Sequence, residues 1–384
     1  MRLRHVRTVL LLCLTFIPVR ASGQSSIDRW EPIARALTDR MAIQRGERVL
    51  LVGAPGLADS LVPLLRAAIR SAGGEDLGAI GVRAGWPDAW STDFTRRLSE
   101  GTAAAVDALL DEVDLGVMLP GAVVSDALYG ALQDKLRDGQ GRTIHFHWAG
   151  AYGMDGALLP NTAAIDAHYR TVLLQTDYAS LATRQREFEA AARGTTIRVT
   201  DPAGTDLRFQ IEDRPVTRQD GDASARRAEA ARNLIDREIE LPAGAIRVAP
   251  MEESVEGTIA FPTGDWGGER VEGLVMRFEN GRLTTFEART GRGGVERELA
   301  RGGSAARAFR EFALGFNPLL APREDDGKRW IPYYGYGAGV VRLSLGDNTE
   351  LGGRVGGGYV RWNFFTETTV TVGDRIWVRG GKLQ

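Results

Sequence analysis

The chain has 384 residues, with 48 Lys and Arg against 50 Asp and Glu, a net charge of −2 and a single cysteine. The signs are interspersed, nearly all the basic residues are arginine, and no basic stripe with interleaved aromatics occurs, which argues against nucleic acid as a partner. At this length two domains are expected.

The first 23 residues read as an export signal. Arg2, Arg4 and Arg7 form a basic region, Thr8 to Val19 is apolar, and Ala21-Ser22-Gly23 supplies small residues for cleavage before Gln24. The expectation is an exported protein, periplasmic or extracellular, with no membrane attachment after signal removal; a retained anchor is the alternative. Cys13 lies inside the apolar run, so the cleaved chain has no thiol, no disulfide and no cysteine–metal cluster.

From residue 24 to 195, apolar runs alternate with helical patterns. Ile27 to Arg45 is amphipathic, with Trp30, Ile33, Ala34, Leu37 and Met41 at helical spacing. Strand candidates follow at Arg48–Gly53, Leu77–Val82, Leu115–Leu119 and Thr143–Trp148. Helices are expected at Leu57–Ser71, Phe94–Val113, Ser125–Leu136 and, as one long element, Asp166–Arg193. This alternation predicts an α/β domain on a mostly parallel sheet. The glycines of Val52-Gly-Ala-Pro-Gly56 lack the full dinucleotide fingerprint, so they read as a structural turn.

After Thr195 the pattern changes to period two. Thr196–Thr200 and Asp206–Ile211 are strands around the turn Asp201-Pro-Ala-Gly204, and Leu274–Phe278 with Leu283–Ala288 forms a hairpin about Asn280-Gly281. Helices are expected over Ala223–Asp236 and Ala305–Phe312. Residues 196–384 therefore form a β-rich α+β domain. Arg96-Arg97 and Arg226-Arg227 sit among acidic residues and read as solvated helix faces.

Two groups of residues carry candidate chemistry. Strand alternation places His145 and His147 on one face, where they could bind a metal if a third ligand joined them, or line an interface through ordinary hydrogen bonds. Glu252 and Glu253 could supply carboxylates but read as a turn. The aromatic group Trp330, Tyr333, Tyr334 and Tyr336 precedes the glycine-rich tail and reads as packing or as the wall of a cleft.

Leu241-Pro-Ala-Gly-Ala-Ile-Arg-Val-Ala-Pro-Met-Glu-Glu-Ser-Val-Glu-Gly-Thr-Ile259 resembles the core of the aminopeptidase T / aminopeptidase S / aminopeptidase II metallopeptidases. Gly204–Phe209, Val271–Gly281 and Arg310–Pro318 add matches in the family's order, so the resemblance is clearest from Gly204 onward. It implies the metalloaminopeptidase fold, a dimeric habit, and a pair of zinc or cobalt ions that activate water against the first peptide bond.

Carried over residue by residue, the family's ligands fall on Ala245, Glu311, Arg342, the vicinity of Thr349, Arg361 and Asn363. Of these only Glu311 keeps a carboxylate. Guanidinium stays protonated and repels a divalent cation, so no cofactor is expected at those positions. Arg342 and Arg361 then have two readings. They form an inert ion pair with Glu311, or they capture a peptide or small anionic molecule beside Asn363. The alternative is an active metal-dependent hydrolase with a relocated site built from Glu311 with His145 or His147, again using zinc or cobalt.

Overall fold

The computed structural model describes residues 22–384 apart from 58, 84, 124, 125, 147 and 326, and the side chains of 22–28 also lie outside the description. The export signal, Cys13 and His147 therefore fall outside the described residues, save for Ser22 and Gly23 at the start of the first helix. Among the described residues, no helix is long and apolar enough to cross a membrane.

The first layer is a parallel sheet of five strands in the order Glu75–Gly81, Arg48–Gly53, Leu115–Met118, Arg142–Phe146 and Glu238–Leu241. Its strands read as unbroken apolar runs, such as Val49-Leu-Leu-Val52, because helices cover both faces and neither side of a strand meets water. Trp30, Ile33, Leu37 and Met41 of the first helix are buried, as their spacing implied. The fifth strand comes from beyond residue 195, so the chain crosses the expected boundary to complete this sheet.

Beside a two-stranded and a three-stranded sheet, two large antiparallel sheets build most of the rest. One has the core order Val360–Arg361, Val341–Gly346, Phe309–Gly315, Ala245–Val248 and Thr217–Arg218, with Phe364–Phe365 also paired to Val341–Gly346. The other has eight strands, from Arg282–Glu287 at one edge to Lys382–Leu383 at the other. Phe309 and Phe312 of the first sheet meet Phe209 and Phe278 of the second, with Phe209 and Phe312 centroids 5.1 Å apart. The fold is thus an α/β region followed by a β-rich region.

Four expected helices are revised. Asp166–Arg193 is two helices, Ala163–Gln175 and Tyr178–Ala192. The Thr176 hydroxyl donates back to the Val172 carbonyl at 2.7 Å, and Asp177 caps the second helix by accepting from the Ser180 amide at 3.0 Å. Phe94–Val113 likewise divides at Gly101, and Thr102 caps the second piece. Over Ala223–Asp236 only Ala225–Glu229 is α-helical.

The fourth revision bears on function. Ala305–Phe312 was expected to be helical, yet Phe309–Gly315 is a central strand with all seven residues buried. Its Ala, Arg, Glu and Leu residues favour a helix in isolation, but strand partners on both sides and the aromatic core outweigh that preference. Glu311 therefore projects from a sheet.

Candidate functional site

Cross-strand register explains how the retained carboxylate is surrounded. Ala313 pairs with Arg247 on one neighbouring strand and with Arg342 on the other. These three residues form one row on one face, and the small Ala313 side chain leaves space between two long arginines. Both arginines lean along the sheet toward Glu311, two residues away on the same face. Arg247 Nε donates to Glu311 Oε1 at 2.7 Å, and Arg342 Nη2 donates to the same oxygen at 2.7 Å. The register between Phe309 and Glu311 is interrupted, and the extra residue is Arg310. A bulge of this kind re-aims a side chain. Here Arg310 Nη1 donates to Glu311 Oε2.

Glu350 closes the group from the turn after the Val341–Gly346 strand. Its Oε1 accepts from Arg247 at 3.0 Å and also from Arg310. Glu240 Oε1 lies 4.0 Å from Arg247. Three guanidiniums thus meet three carboxylates, and the ring of Trp362 lies 4.9 Å from the Arg342 guanidinium carbon. Glu311 is fully buried. Burial alone would raise its pKa, but Arg247, Arg342 and Arg310 outweigh that and hold it well below the usual carboxylate range.

The loop ahead of this strand is shaped to fit. Tyr333 and Tyr334 adopt positive φ, +34° and +53°. Side chains rarely occupy that region unless their surroundings hold them there. The Tyr334 amide donates to the Gly150 carbonyl at 2.7 Å, while the Tyr334 carbonyl accepts from Arg342 Nη1 at 3.1 Å. A Cβ at Gly150 would lie 2.4 Å from the Tyr334 ring, so only glycine allows this approach. Of the aromatic group, Tyr334 and Tyr336 adjoin Arg342, whereas Trp330 packs on His168 and Tyr333 on Tyr169.

Arg361 does not join Arg342. It pairs with Leu345, whereas Arg342 pairs with Phe364, and the odd offset sends the two side chains to opposite faces. Arg361 lies over Trp266 at 3.5 Å, and its Nη1 donates to Glu298 Oε1 at 2.8 Å. The remaining nitrogens reach Asn363 Oδ1 at 3.1 Å and the Asp265 carbonyl at 2.7 Å. Asn363 in turn donates to the Leu343 carbonyl at 3.1 Å. The expectation that Arg342 and Arg361 converge on one ligand, or pair jointly with Glu311, is thereby corrected: strand parity separates them.

The other candidates are also placed. Ala245 is buried opposite Gly315 and offers no ligand atom. Thr349 is exposed and donates to Asp347 Oδ1 at 2.7 Å, while its neighbour Glu350 turns inward. Glu252 is a structural hub that accepts from Arg214, Asn348 and the Arg354 amide. Its carboxyl would be raised by burial, but those donors hold it below its ordinary value.

His145 belongs to a different buried group. Its Nδ1 lies 2.6 Å from the Tyr129 hydroxyl and its Nε2 lies 3.3 Å from Glu238 Oε2. Gln133 donates to the same Glu238 oxygen at 3.0 Å. Burial pushes the Glu238 carboxyl up to about 8. His145 bonds Tyr129 and Glu238, whereas Glu311 bonds Arg247, Arg310 and Arg342, so the site expected from Glu311 with His145 is not seen among these bonds, and His147, the other candidate, lies outside the described residues. Among the described residues, no three His, Cys, Asp or Glu side chains group as a metal would require.

The residues present do not fit a two-metal centre. Glu311 Oε1 already accepts two charged donors and Oε2 a third, and the residues on the neighbouring strands, Ala245 and Arg342, supply no ligand atom. Sequence reasoning missed Arg247, Arg310, Glu350, Glu298 and Glu238. Period two from Ala245 could have flagged Arg247.

Between the two regions lies a cleft with a cavity of about 460 Å³, lined by Tyr152, Asp155, Asp265, Arg361, Trp362 and Phe364 among others. Burial pushes the Tyr152 hydroxyl up to about 12. The carboxylates of Asp155 and Asp265 accept local backbone amides at 3.1 Å, and neither forms a salt bridge among the described residues.

The sequence matches no protein-family model and no curated protein sequence. Its fold has clear counterparts. The structure of 2,5-dihydroxypyridine dioxygenase from Pseudomonas putida KT2440 covers 94% of this chain and 98% of its own, at 16% identity and a TM-score of 0.62. Wild-type AmpT from Thermus thermophilus covers 93% of this chain and 99% of its own, at 18% identity and a TM-score of 0.58. The fold is the one these two structures share. Because a dioxygenase is also similar to it, the fold alone does not specify the chemistry.

Proposed function

We propose that this is an exported protein on a metalloaminopeptidase-like scaffold that no longer hydrolyses peptides and instead binds a peptide in the cleft between its two regions. The observation that carries the reading is the saturation of Glu311 by Arg247, Arg310 and Arg342. A carboxylate in that state has three of its four lone-pair sites taken by charged donors, and the three guanidiniums beside it oppose a divalent cation.

The character of the cleft supports a peptide over a small free anion. Arg361 is already matched by Glu298, Asn363 and a carbonyl, so little of its guanidinium remains for a second anion. Asp155 and Asp265 suit the amino end of a peptide, and Tyr152, Trp362 and Phe364 offer aromatic surface for a side chain. Calorimetric titration with a defined set of unblocked tripeptides tests this. Binding by some of them, weakened about tenfold by Trp362→Ala and without release of free amino acids, is the expected result. Absence of binding across the set, or turnover of the peptides, would overturn the proposal.

A further inference from the structure

A second cavity, of about 240 Å³, adjoins the cleft and shares Met154, Pro262 and Phe364 with its wall. The rest of it is built mainly from the turn Asp201-Pro-Ala203, from Ala260 and Phe261 at the end of the strand Glu256–Ala260, and from Phe365. One hairpin residue of the α/β region, Met154, therefore stands between two spaces that open side by side.

The walls of this second space are held from behind. The Ala260 amide donates to the buried Thr205 hydroxyl at 3.0 Å, which ties the strand end to the turn. Phe261 meets Trp266 edge-on at 5.3 Å and lies 6.2 Å from Phe365, while Phe364 rests on Tyr152 at 4.6 Å. All three phenylalanines are buried, so the surface they present is apolar and fixed in shape. Charge is confined to the rim. Asp201 Oδ1 accepts the Gly204 and Thr205 amides at 2.9 and 3.0 Å, and Glu367 is exposed. Among the described residues, no basic side chain lines the space.

We propose that this cavity takes a large apolar side chain, aromatic before aliphatic, from a peptide whose amino end lies by Asp155 and Asp265. The inference rests on the peptide binding proposed above and adds what the cleft selects. Size supports it, because an apolar cavity of about 150 Å³ already holds benzene. A phenyl ring would meet the edges and faces of Phe261, Phe364 and Phe365, an arrangement aromatic rings favour. The shared wall lets one extended chain present successive side chains to the two spaces. An acidic side chain would instead face Asp201 and Glu367 with no cation beside them. A lysine would reach Glu367 only at the exposed rim, where solvent leaves an ion pair little gain.

Calorimetric titration of the full chain with the unblocked peptides Gly-Gly-Gly, Gly-Phe-Gly, Gly-Gly-Phe, Gly-Lys-Gly and Gly-Glu-Gly tests the inference. At least one phenylalanine peptide should bind about tenfold tighter than Gly-Gly-Gly, and tighter than the lysine and glutamate peptides. Ala203→Trp, which fills the cavity from an exposed turn, should abolish that advantage. Equal binding of all five peptides, or an advantage that survives Ala203→Trp, would overturn the side-chain site and leave peptide binding in place. Tightest binding of the lysine peptide would overturn it as well, by assigning the space to a basic side chain. Binding of none would overturn both proposals together.

Discussion

The two faces of the strand pair Val341–Gly346 and Val360–Phe365 treat their arginines in opposite ways. On one face Arg342 is 2% exposed and locked with Arg247 and Arg310 around Glu311. On the other, Arg361 retains 19% side-chain exposure and lies on Trp266 at the rim of the cleft. Deep burial requires every charge to be matched, because a lone ion there would be costly. At the rim, partial hydration relaxes that demand. One face is thus a closed electrostatic core, and the other is a surface that a ligand can reach.

The largest effect should come from the closed face. Glu311→Gln leaves three buried guanidiniums short of a counter-charge and should cost about 3–5 kcal/mol in urea denaturation. A loss below about 1 kcal/mol would mean the cluster is hydrated, and the contrast between the faces would collapse. Arg361→Ala should cost less, about 2 kcal/mol, since it removes charge-assisted bonds at a partly hydrated position. If Arg361→Ala proved the more damaging change, the ranking of the faces would reverse.

The His145 group sharpens the comparison, because there a buried carboxyl is bonded by Gln133 and feels Arg247 only at a distance, so burial dominates. Its folded pKa of about 8 stands above the unfolded value near 4.3. The folded state then binds more protons across that interval, so this contribution is full below about pH 4.3 and is lost as pH rises through about 8. Glu238→Gln should flatten that decline in a stability-versus-pH series. An unchanged slope would show that Glu238 is ionised in the fold. Glu311 has the opposite sign: its depressed pKa keeps its contribution present above the unfolded value and lost only in strong acid.

Much of the scaffold was legible in the sequence because it is local. Apolar runs such as Val49–Val52 mark strands buried on both faces, and Asn280-Gly281 marks its hairpin directly. The site was less legible. The row Arg247–Ala313–Arg342 joins residues far apart in sequence, and only strand register brings them together. The bulge at Arg310 and the helix-like composition of Phe309–Gly315 concealed it further. The return of Glu238–Leu241 to the parallel sheet is equally non-local, and so is the pairing of His145 with Glu238.

The central claim is that arginines occupy the place a metal pair would need. Elemental analysis of the purified protein after loading with zinc or cobalt, alongside an assay for released N-terminal amino acids, addresses it most directly. The account predicts well under one metal per chain after a buffer wash and no release. Two tightly held metals per chain with steady release of amino acids would contradict it.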